Sequence, residues 1–469
     1  MAHGFFQSLR ILAMVSGTAV FASRGDLVYQ ENAGLFTEQG GFMEKSSFFC
    51  GIGGAGMSAL AQIMRAHGHA VRGSDRSRDC GLFPDRYAAL EIAGIALYPQ
   101  DGSGIDGNVK ELIVSAAVEE SIPDVRAARE SRIPVRSRAE VLAGLVNDAR
   151  GIAVGGTSGK STVTGMTGFL LHNAGFDPTV MNGGVMVDFV GHPCAPLGNA
   201  LIGSGAFFVS EACESDGSIS LYRPEIAVLN NVALDHKPLD ELRPLFRNYL
   251  AGARGAAVVN LDDPESRELT GVHSNTLTFA IDRPQARFQA RAIEQARDQV
   301  RFTVHDTQTG SKAPVMIRMP GLHTVRNALA ALTAAFAAGV APEEAAGALS
   351  GFRGIRRRME VVGQACGVTV YDDYAHNPDK IAAALQALKA FDGPLHVVFQ
   401  PHGFGPLKLM LDGYAQALAE GLDSRDSVMI CGVYDAGGTA DRSIDGGVLA
   451  DAVRALGGRA EYSADRSAV

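Results

Sequence analysis

The run Gly151-Ile152-Ala153-Val154 passes without a break into Gly155-Gly156-Thr157-Ser158-Gly159-Lys160-Ser161-Thr162, and a helix-like segment follows. An apolar strand, a glycine-rich turn and a helix, in that order, call for an α/β layer in which the chain reverses sharply at a sheet edge. The same stretch sets a chemistry. Small residues let successive backbone N–H groups close around an anion, Lys160 can reach the β- and γ-phosphates of a nucleotide, and the Ser161 hydroxyl stands where such loops hold Mg²⁺. The cradle formed by Gly155, Gly156, Thr157, Ser158, Gly159, Lys160, Ser161 and Thr162 points to nucleoside triphosphate chemistry, with ATP and Mg²⁺ as the groups to expect. It is one residue shorter than GxxxxGK[ST], with Val154 where the first glycine would stand.

The rest of the chain is long enough to build several units around this loop. A length of 469 residues exceeds one hydrophobic core, and ordinary domain sizes suggest about three. A net charge of −9 argues against a protein held on nucleic acid by phosphate neutralisation, so no nucleic-acid partner is expected. Cys50, Cys80, Cys194, Cys213, Cys366 and Cys431 lie far apart with no CxxC pair, which suits free thiols in a reducing compartment. No segment reaches the roughly 18 apolar residues of a membrane helix, and no membrane partner is expected. Arg10 and the apolar run 11–22 look like a short signal-peptide core. Nucleotide chemistry belongs in the cytoplasm, however, and Met43 stands just before the first convincing strand. Residues 1–42 are therefore expected to be an upstream extension outside the fold, and the protein to be cytoplasmic.

Ahead of the phosphate loop, Ser47-Phe48-Phe49-Cys50 runs into Gly51-Ile52-Gly53-Gly54-Ala55-Gly56, then a helical pattern over 57–67, a strand at 70–72 and Gly73-Ser74-Asp75. This is the order of a dinucleotide-type fold, with a diphosphate at the helix N-terminus and Asp75 near a ribose; a tight packing turn has the same letters. Another strand ends at Ser115, and a linking helix is expected over 139–146. After the phosphate loop, strands at 206–210 and 226–230 are followed by Glu211, Glu214 and Asp216 and by Asn231 to His236. The C-terminal ends of parallel strands share one edge, so these groups should meet the loop in one crevice. Glu211 is a hard oxygen ligand for Mg²⁺, and His236 is a candidate for a second metal or for orienting a ligand. Glu214 and Asp216 read equally well as solvated loop acids. In the third unit two strands lead into Tyr371-Asp372-Asp373-Tyr374-Ala375-His376-Asn377-Pro378 and Gln400-Pro401-His402-Gly403-Phe404-Gly405. The expected fold is α/β with three domains: N-terminal Rossmann-like over 43–148, central phosphate-loop mononucleotide-binding over 149–320, and C-terminal Rossmann-like over 321–469. The chain stops before a last strand is evident, so the third unit is expected to be cut short.

Taken together, the motifs resemble one family. A short GTxGK[ST][ST]-type loop, an acidic run after the next strand, an xDH turn at 234–236, an HxxxN helix start at 323–327, Arg357-Arg358-Met359-Glu360 and a DDYxHxP segment at 372–378 occur in this order. They resemble the Mur ligases, the ATP-dependent amino-acid ligases of peptidoglycan precursor synthesis. The segments Gly51 to Ser58, Gly73 to Asp75, Val114 to Val118, 127–135 and Phe399 to Phe404 are most similar to the alanine-adding members.

The resemblance implies that ATP phosphorylates the carboxylate of UDP-N-acetylmuramate and that an amine, L-alanine first among the candidates, attacks the acyl phosphate. It implies catalytic roles for Lys160, Glu211, His236, Arg358 and Asp373, and a metal at Ser161, Glu211 and His236. Asn327 would contact adenine, Arg358 the nucleotide phosphates and Asp373 the ribose. Gly51, Gly53, Gly54, Gly56, Met57, Ser58, Asp75 and Ser115 would bind the UDP-sugar, and His376 and His402 would sit beside the incoming amine. A monomer or weak homodimer is expected. The chain departs from the pattern at Ser158, where a His is usual, and at Thr324, where an Asn is usual. Two arginines expected beyond His402 are replaced by Gly403 and Pro406, and an arginine fork gives a bidentate carboxylate grip that neither can replace. Three alternatives stay open: a ligase adding another amino acid or a preformed peptide, an ATP-binding regulatory homologue, and a dinucleotide-dependent oxidoreductase resting on Gly51 to Gly56 alone.

Overall fold

In the computed structural model, the residues described are 9–14, 46–116, 118–234, 237–296, 298–389, 392–435 and 441–466. Three sheets organise them. Strand β1 (Leu9–Met14) opens the described chain and joins the third sheet. The first sheet contains β2 (Ser46–Cys50), β3 (Ala70–Ser74), β4 (Ala96–Tyr98), β5 (Glu111–Val114) and β6 (Val135–Ser137), ordered β4-β3-β2-β5-β6. All its pairings are parallel, so every strand delivers its C-terminal end to one edge.

The second sheet contains β7 (Arg150–Gly155), β8 (Thr179–Met181), β9 (Ala200–Leu201), β10 (Phe207–Glu211), β11 (Ile226–Leu229), β12 (Ala256–Asn260), β13 (Thr276–Ala280), β14 (Phe288–Gln295), β15 (Val300–Asp306) and β16 (Lys312–Ile317). Their order is β16-β15-β14-β13-β12-β11-β7-β10-β8-β9. The strands that read as unbroken apolar runs, β7, β11 and β12, lie in the middle because a parallel sheet is covered on both faces. Helices Lys160–Asn173 and Leu322–Ala338 cover one face, through a core that includes Val163, Met166, Val325 and Leu329. The other face shares a continuous core with the first sheet, in which Phe49, Ile52 and Leu60 join Phe208, Phe246 and Tyr249. The first two units are thus packed as one body on that side. Helix Arg138–Asp148 connects them and starts where the pattern predicts, because Ser137 and Glu140 cap each other's backbone N–H groups.

The third sheet contains β17 (Glu360–Ala365), β18 (Val368–Asp373), β19 (Leu395–Phe399), β20 (Ser427–Cys431) and β21 (Ala460–Ser463), with β1 between β18 and β19. Strand β1 runs antiparallel to both neighbours, Leu9 opposite Asp373 and Arg10 opposite Val398. The expectation that residues 1–42 lie outside the fold therefore does not hold for Leu9–Met14. A six-residue stretch, apolar except for Arg10, can satisfy its backbone by sheet pairing wherever two strands leave room for it.

The boundary expected at residue 320 also moves. Helix Leu322–Ala338 was assigned to the third unit, yet Val325, Ala328, Leu329, Leu332 and Ala335 bury themselves in the central core. Burial of that apolar face outweighs the glycine break at Pro320-Gly321, and apart from β1 the strands of the third unit's sheet start only at Glu360.

Candidate active site

The second sheet aligns the site through its register. Val154 pairs with Glu211 on one side, and Gly155 pairs with Leu229 on the other. The phosphate loop, Glu211 and Asn230-Asn231 consequently leave the sheet at the same edge. Gly156 and Gly159 have φ values of 129° and 84°, a region that side chains other than glycine rarely adopt. A β-carbon at Gly159 would run into the amides of Asn327 and Asn230.

The two asparagines brace the loop. Asn231 accepts from the Ser158 N–H at 2.8 Å and from the Thr157 hydroxyl at 3.0 Å, and its amide donates to the Ser158 carbonyl at 3.0 Å. Asn230 donates to that same carbonyl at 3.0 Å and to Asn327 Oδ1 at 2.9 Å. Asn327, the residue expected at the adenine, thus meets the loop from the head of helix Leu322–Ala338. Neither Asn230 nor Asn231 was singled out from sequence as a brace, although both follow an apolar strand directly, which is the signal that could have found them.

Lys160 is turned toward the acidic loop. Its ammonium donates to the Gly156 carbonyl at 2.6 Å and to the two oxygens of Glu214 at 3.1 and 2.9 Å. Burial pulls the lysine pKa down, the negative charge of Glu214 opposes this, and the net shift is upward, so the group stays an ammonium. Glu214 is only 2% exposed, which rules out a solvated loop acid there. Asp216 instead closes a turn by accepting from the Ser218 N–H at 3.0 Å. Glu211 accepts from the Gly183 N–H at 2.6 Å and lies close enough to Lys160 to raise its pKa.

Ser161 has its carbonyl bound by Asn182 at 2.9 Å, and its hydroxyl accepts from Arg358 at 3.4 Å. Ser161 and Glu211 offer hard oxygen donors suited to Mg²⁺. His236 lies outside the described residues. Among those described, no group of three or more His, Cys, Asp or Glu converges as a metal site.

A cleft of about 390 Å³ opens between the second and third units. Ser158, Gly159, Thr162, Asn327, Arg358 and Asp373 all line it. Arg358 lies over the Tyr374 ring at 5.3 Å, and the Asp373 carboxylate accepts from the Met359 N–H at 2.8 Å. Burial raises the pKa of Asp373 and the nearby Arg358 charge only partly offsets it.

His376 and His402 are brought together as expected, with ring centroids 6.3 Å apart. Tyr374 stands between them: its hydroxyl is 3.3 Å from His402 Nε2, and its carbonyl is 2.8 Å from His376 Nδ1. His402 stacks on Tyr434 at 5.1 Å. Burial, helped by Arg357, lowers the His402 pKa and favours the neutral ring.

The residues expected at the UDP-sugar belong to the edge of the first sheet, and none of them lines the 390 Å³ cleft. Gly51 has φ 78° and starts the turn, and Gly54 caps the helix Ala55–Ala66. Asp75 accepts from the Gly53 N–H and from the Ser77 N–H, both at 2.8 Å, so its carboxylate braces the turn. Gly53 has no room for a side chain because the Tyr87 hydroxyl and Asp75 fill that space. Gly56 packs against Arg138. Met57 and Ser58 are buried rather than open to a ligand. The Ser58 hydroxyl instead accepts from Asn199 of the second unit at 3.0 Å, and Ser115 is half-buried after β5.

A phosphate loop facing a third α/β unit across a cleft, with a separate glycine-turn unit packed against the other face of the central sheet, defines a three-unit α/β architecture of nucleotide-binding type. The chain belongs to the Mur ligase family: residues 48–150 match the Mur ligase family catalytic domain, 154–335 the Mur ligase middle domain, and 357–469 the Mur ligase glutamate ligase domain. It is 33% identical over 424 residues to the UDP-N-acetylmuramate–L-alanine ligase of Rhizobium etli, covering 88% of this chain and 87% of that one. The enzyme of the same name from an Arthrobacter species is 36% identical over 406 residues, or 83% and 81% of the two chains. Among solved structures, the Thermotoga maritima UDP-N-acetylmuramate-alanine ligase superposes with a TM-score of 0.71 at 26% identity, covering 89% of this chain and 90% of that one. A murein peptide ligase from Psychrobacter arcticus gives 0.66 at 25% identity, covering 90% and 91%.

Proposed function

We propose that this protein is an ATP-dependent ligase that joins L-alanine to the lactyl carboxylate of UDP-N-acetylmuramate, releasing ADP and phosphate, in peptidoglycan precursor synthesis. The observation that carries the reading is the convergence of the Lys160 loop and Glu211 on one sheet edge, with Asn327, Arg358 and Asp373 closing the cleft beside it. A bare nucleotide binder does not need an acid at that edge as well as a second unit bearing an arginine and a carboxylate.

In this reading Gly155 to Thr162 receive the triphosphate, Asn327 and Asp373 hold its nucleoside end, and Arg358 neutralises phosphate charge. Ser161 and Glu211 would hold Mg²⁺, with His236 as a further candidate, and the ion supplies charge neutralisation when two anions meet. The carboxylate of the sugar attacks the γ-phosphorus, the bond to ADP breaks, and an acyl phosphate results. The amine then attacks the acyl carbon, phosphate leaves, and one proton is lost from nitrogen. His376 and the neutral His402 stand beside that nitrogen. Asp75 and the glycines of the first turn shape the UDP-sugar site from below, by fixing the backbone. Closure of the third unit on the second would keep water from the acyl phosphate.

A second reading, addition of a preformed peptide, is favoured by one observation. Gly403, with φ 98°, and Pro406 stand where two arginines are expected, so the stretch offers no guanidinium fork to grip the carboxylate of a single small amino acid. ADP release with UDP-N-acetylmuramate plus alanine, other amino acids or a tripeptide tests both. Turnover with alanine supports the first reading, and turnover with the tripeptide alone supports the second. No turnover with any amine, despite ATP binding, would reject the ligase.

A further inference from the structure

We propose that Glu214 is a positioning residue that occupies the place of nucleotide phosphate on Lys160, so that ATP enters by exchanging one anion for another at the ammonium. An ammonium has three donors. The Gly156 carbonyl and the two Glu214 oxygens take all of them, at 2.6, 3.1 and 2.9 Å. Phosphate can reach Lys160 only after Glu214 lets it go.

The two partners differ in freedom. The Lys160 side chain is 16% exposed and that of Glu214 3%. Glu214 is carried on a turn whose backbone is tied at several points: Gly217 N–H to the Glu214 carbonyl at 3.1 Å, and Ile219 N–H to the Cys213 carbonyl at 2.8 Å. The Ser218 hydroxyl adds a bond to that second carbonyl at 3.3 Å. The backbone that carries the acid is therefore fixed and its side chain buried, while the lysine hangs on a longer, flexible four-carbon stem and can swing. Glu211, the other acid at this edge, is held by the Gly183 N–H at 2.6 Å and does not take part in the exchange.

Two consequences follow from the charges. Without nucleotide, Glu214 spares the fold a buried, unpaired cation. With nucleotide, Glu214 loses its counter-ion and faces the triphosphate as a like charge, which weakens ATP binding. The proposal rests on the reading that the triphosphate occupies the Gly155 to Thr162 loop.

The test uses the full chain with Glu214→Gln and Glu214→Asp, measuring ADP release and thermal melting with and without ATP. The Gln variant is expected to lower KM for ATP by about threefold or more, while KM for UDP-N-acetylmuramate moves by less than about twofold. Its melting temperature should fall without nucleotide and recover with ATP, so the ATP-induced rise exceeds that of the wild type. The Asp variant, which keeps the charge one methylene back, should lie between the two. An unchanged or raised KM for ATP, or an equal fall in melting temperature with and without ATP, would overturn the exchange and leave a purely structural pair. A raised requirement for Mg²⁺ would overturn it in favour of a metal ligand. A Lys160→Ala variant with unaltered KM for ATP would instead reject the loop as the triphosphate site, which separates the two failures.

Discussion

Two glycine-rich turns link a strand to a helix in this chain, and both already hold a carboxylate of the protein itself. At Gly51 to Gly56, Asp75 is bound by backbone N–H groups of Gly53 and Ser77. At Gly155 to Lys160, Glu214 is bound by the end of a long side chain. A carboxylate held by backbone amides cannot leave without unmaking the turn. One held by a lysine can be exchanged for another anion. Similar letters thus produce a brace in the first unit and an anion exchanger in the second.

This contrast can be broken experimentally. Lys160→Ala should remove the exchanging cation, cutting turnover by ~10³-fold while UDP-sugar affinity stays nearly intact. Single-turnover ADP release checks this, and wild-type turnover in the variant would break the comparison. Gly159→Ala comes next, because its φ of 84° and its contact with Asn327 leave no place for a methyl group. KM for ATP should rise by roughly tenfold or more, read from initial rates.

Asp75→Ala should act on the fold rather than on the nucleotide. It leaves the buried Gly53 N–H without its partner and removes a helix cap, a loss of about 1–3 kcal/mol in urea denaturation. KM for ATP should stay put. An effect of comparable size is expected from pH. His323, at the wall of the cleft, is pushed down from 6.5 to about 4 by burial and then by Arg326. The folded protein keeps this ring neutral while the unfolded chain takes up a proton, so stability is full above pH 6.5 and falls as pH drops toward 4. Melting of the nucleotide-free protein should show that slope, and His323→Gln should flatten it. Smallest of all is Gly54→Ala. Its nearest neighbours are at ordinary contact distance, beginning with the Gly51 carbonyl at 3.5 Å, so stability should change by no more than about 0.5 kcal/mol.

Much of the site was legible before any coordinates. The loop from Gly155 to Thr162 could be read because its glycines, lysine and hydroxyl serve one local task within eight consecutive residues. Glu211 could be placed near it because parallel strands must end on a common edge. Glu214 and Asp216 could not be told apart, since both are acids in the same loop and only burial separates them. Ser58 read as a ligand group and turns out to be half of a contact with Asn199, residues 141 positions apart. No local pattern carries such a pairing. Helix Leu322–Ala338 was placed on the wrong side of a boundary for the same reason: its apolar face was visible, but the surface that would bury it was not.

By itself, then, the amino-acid order determined three α/β units, a glycine- and lysine-bearing loop between strand and helix, and the family of chemistry, because strand runs, glycine turns and a lysine at fixed spacing act over a few residues. Tertiary structure alone decided which acid meets Lys160, which helix belongs to which core, and that Asn327, Arg358 and Asp373 close one cleft. Those outcomes depend on burial and on distances between residues far apart in the chain, and such energies exist only once the sheets have packed.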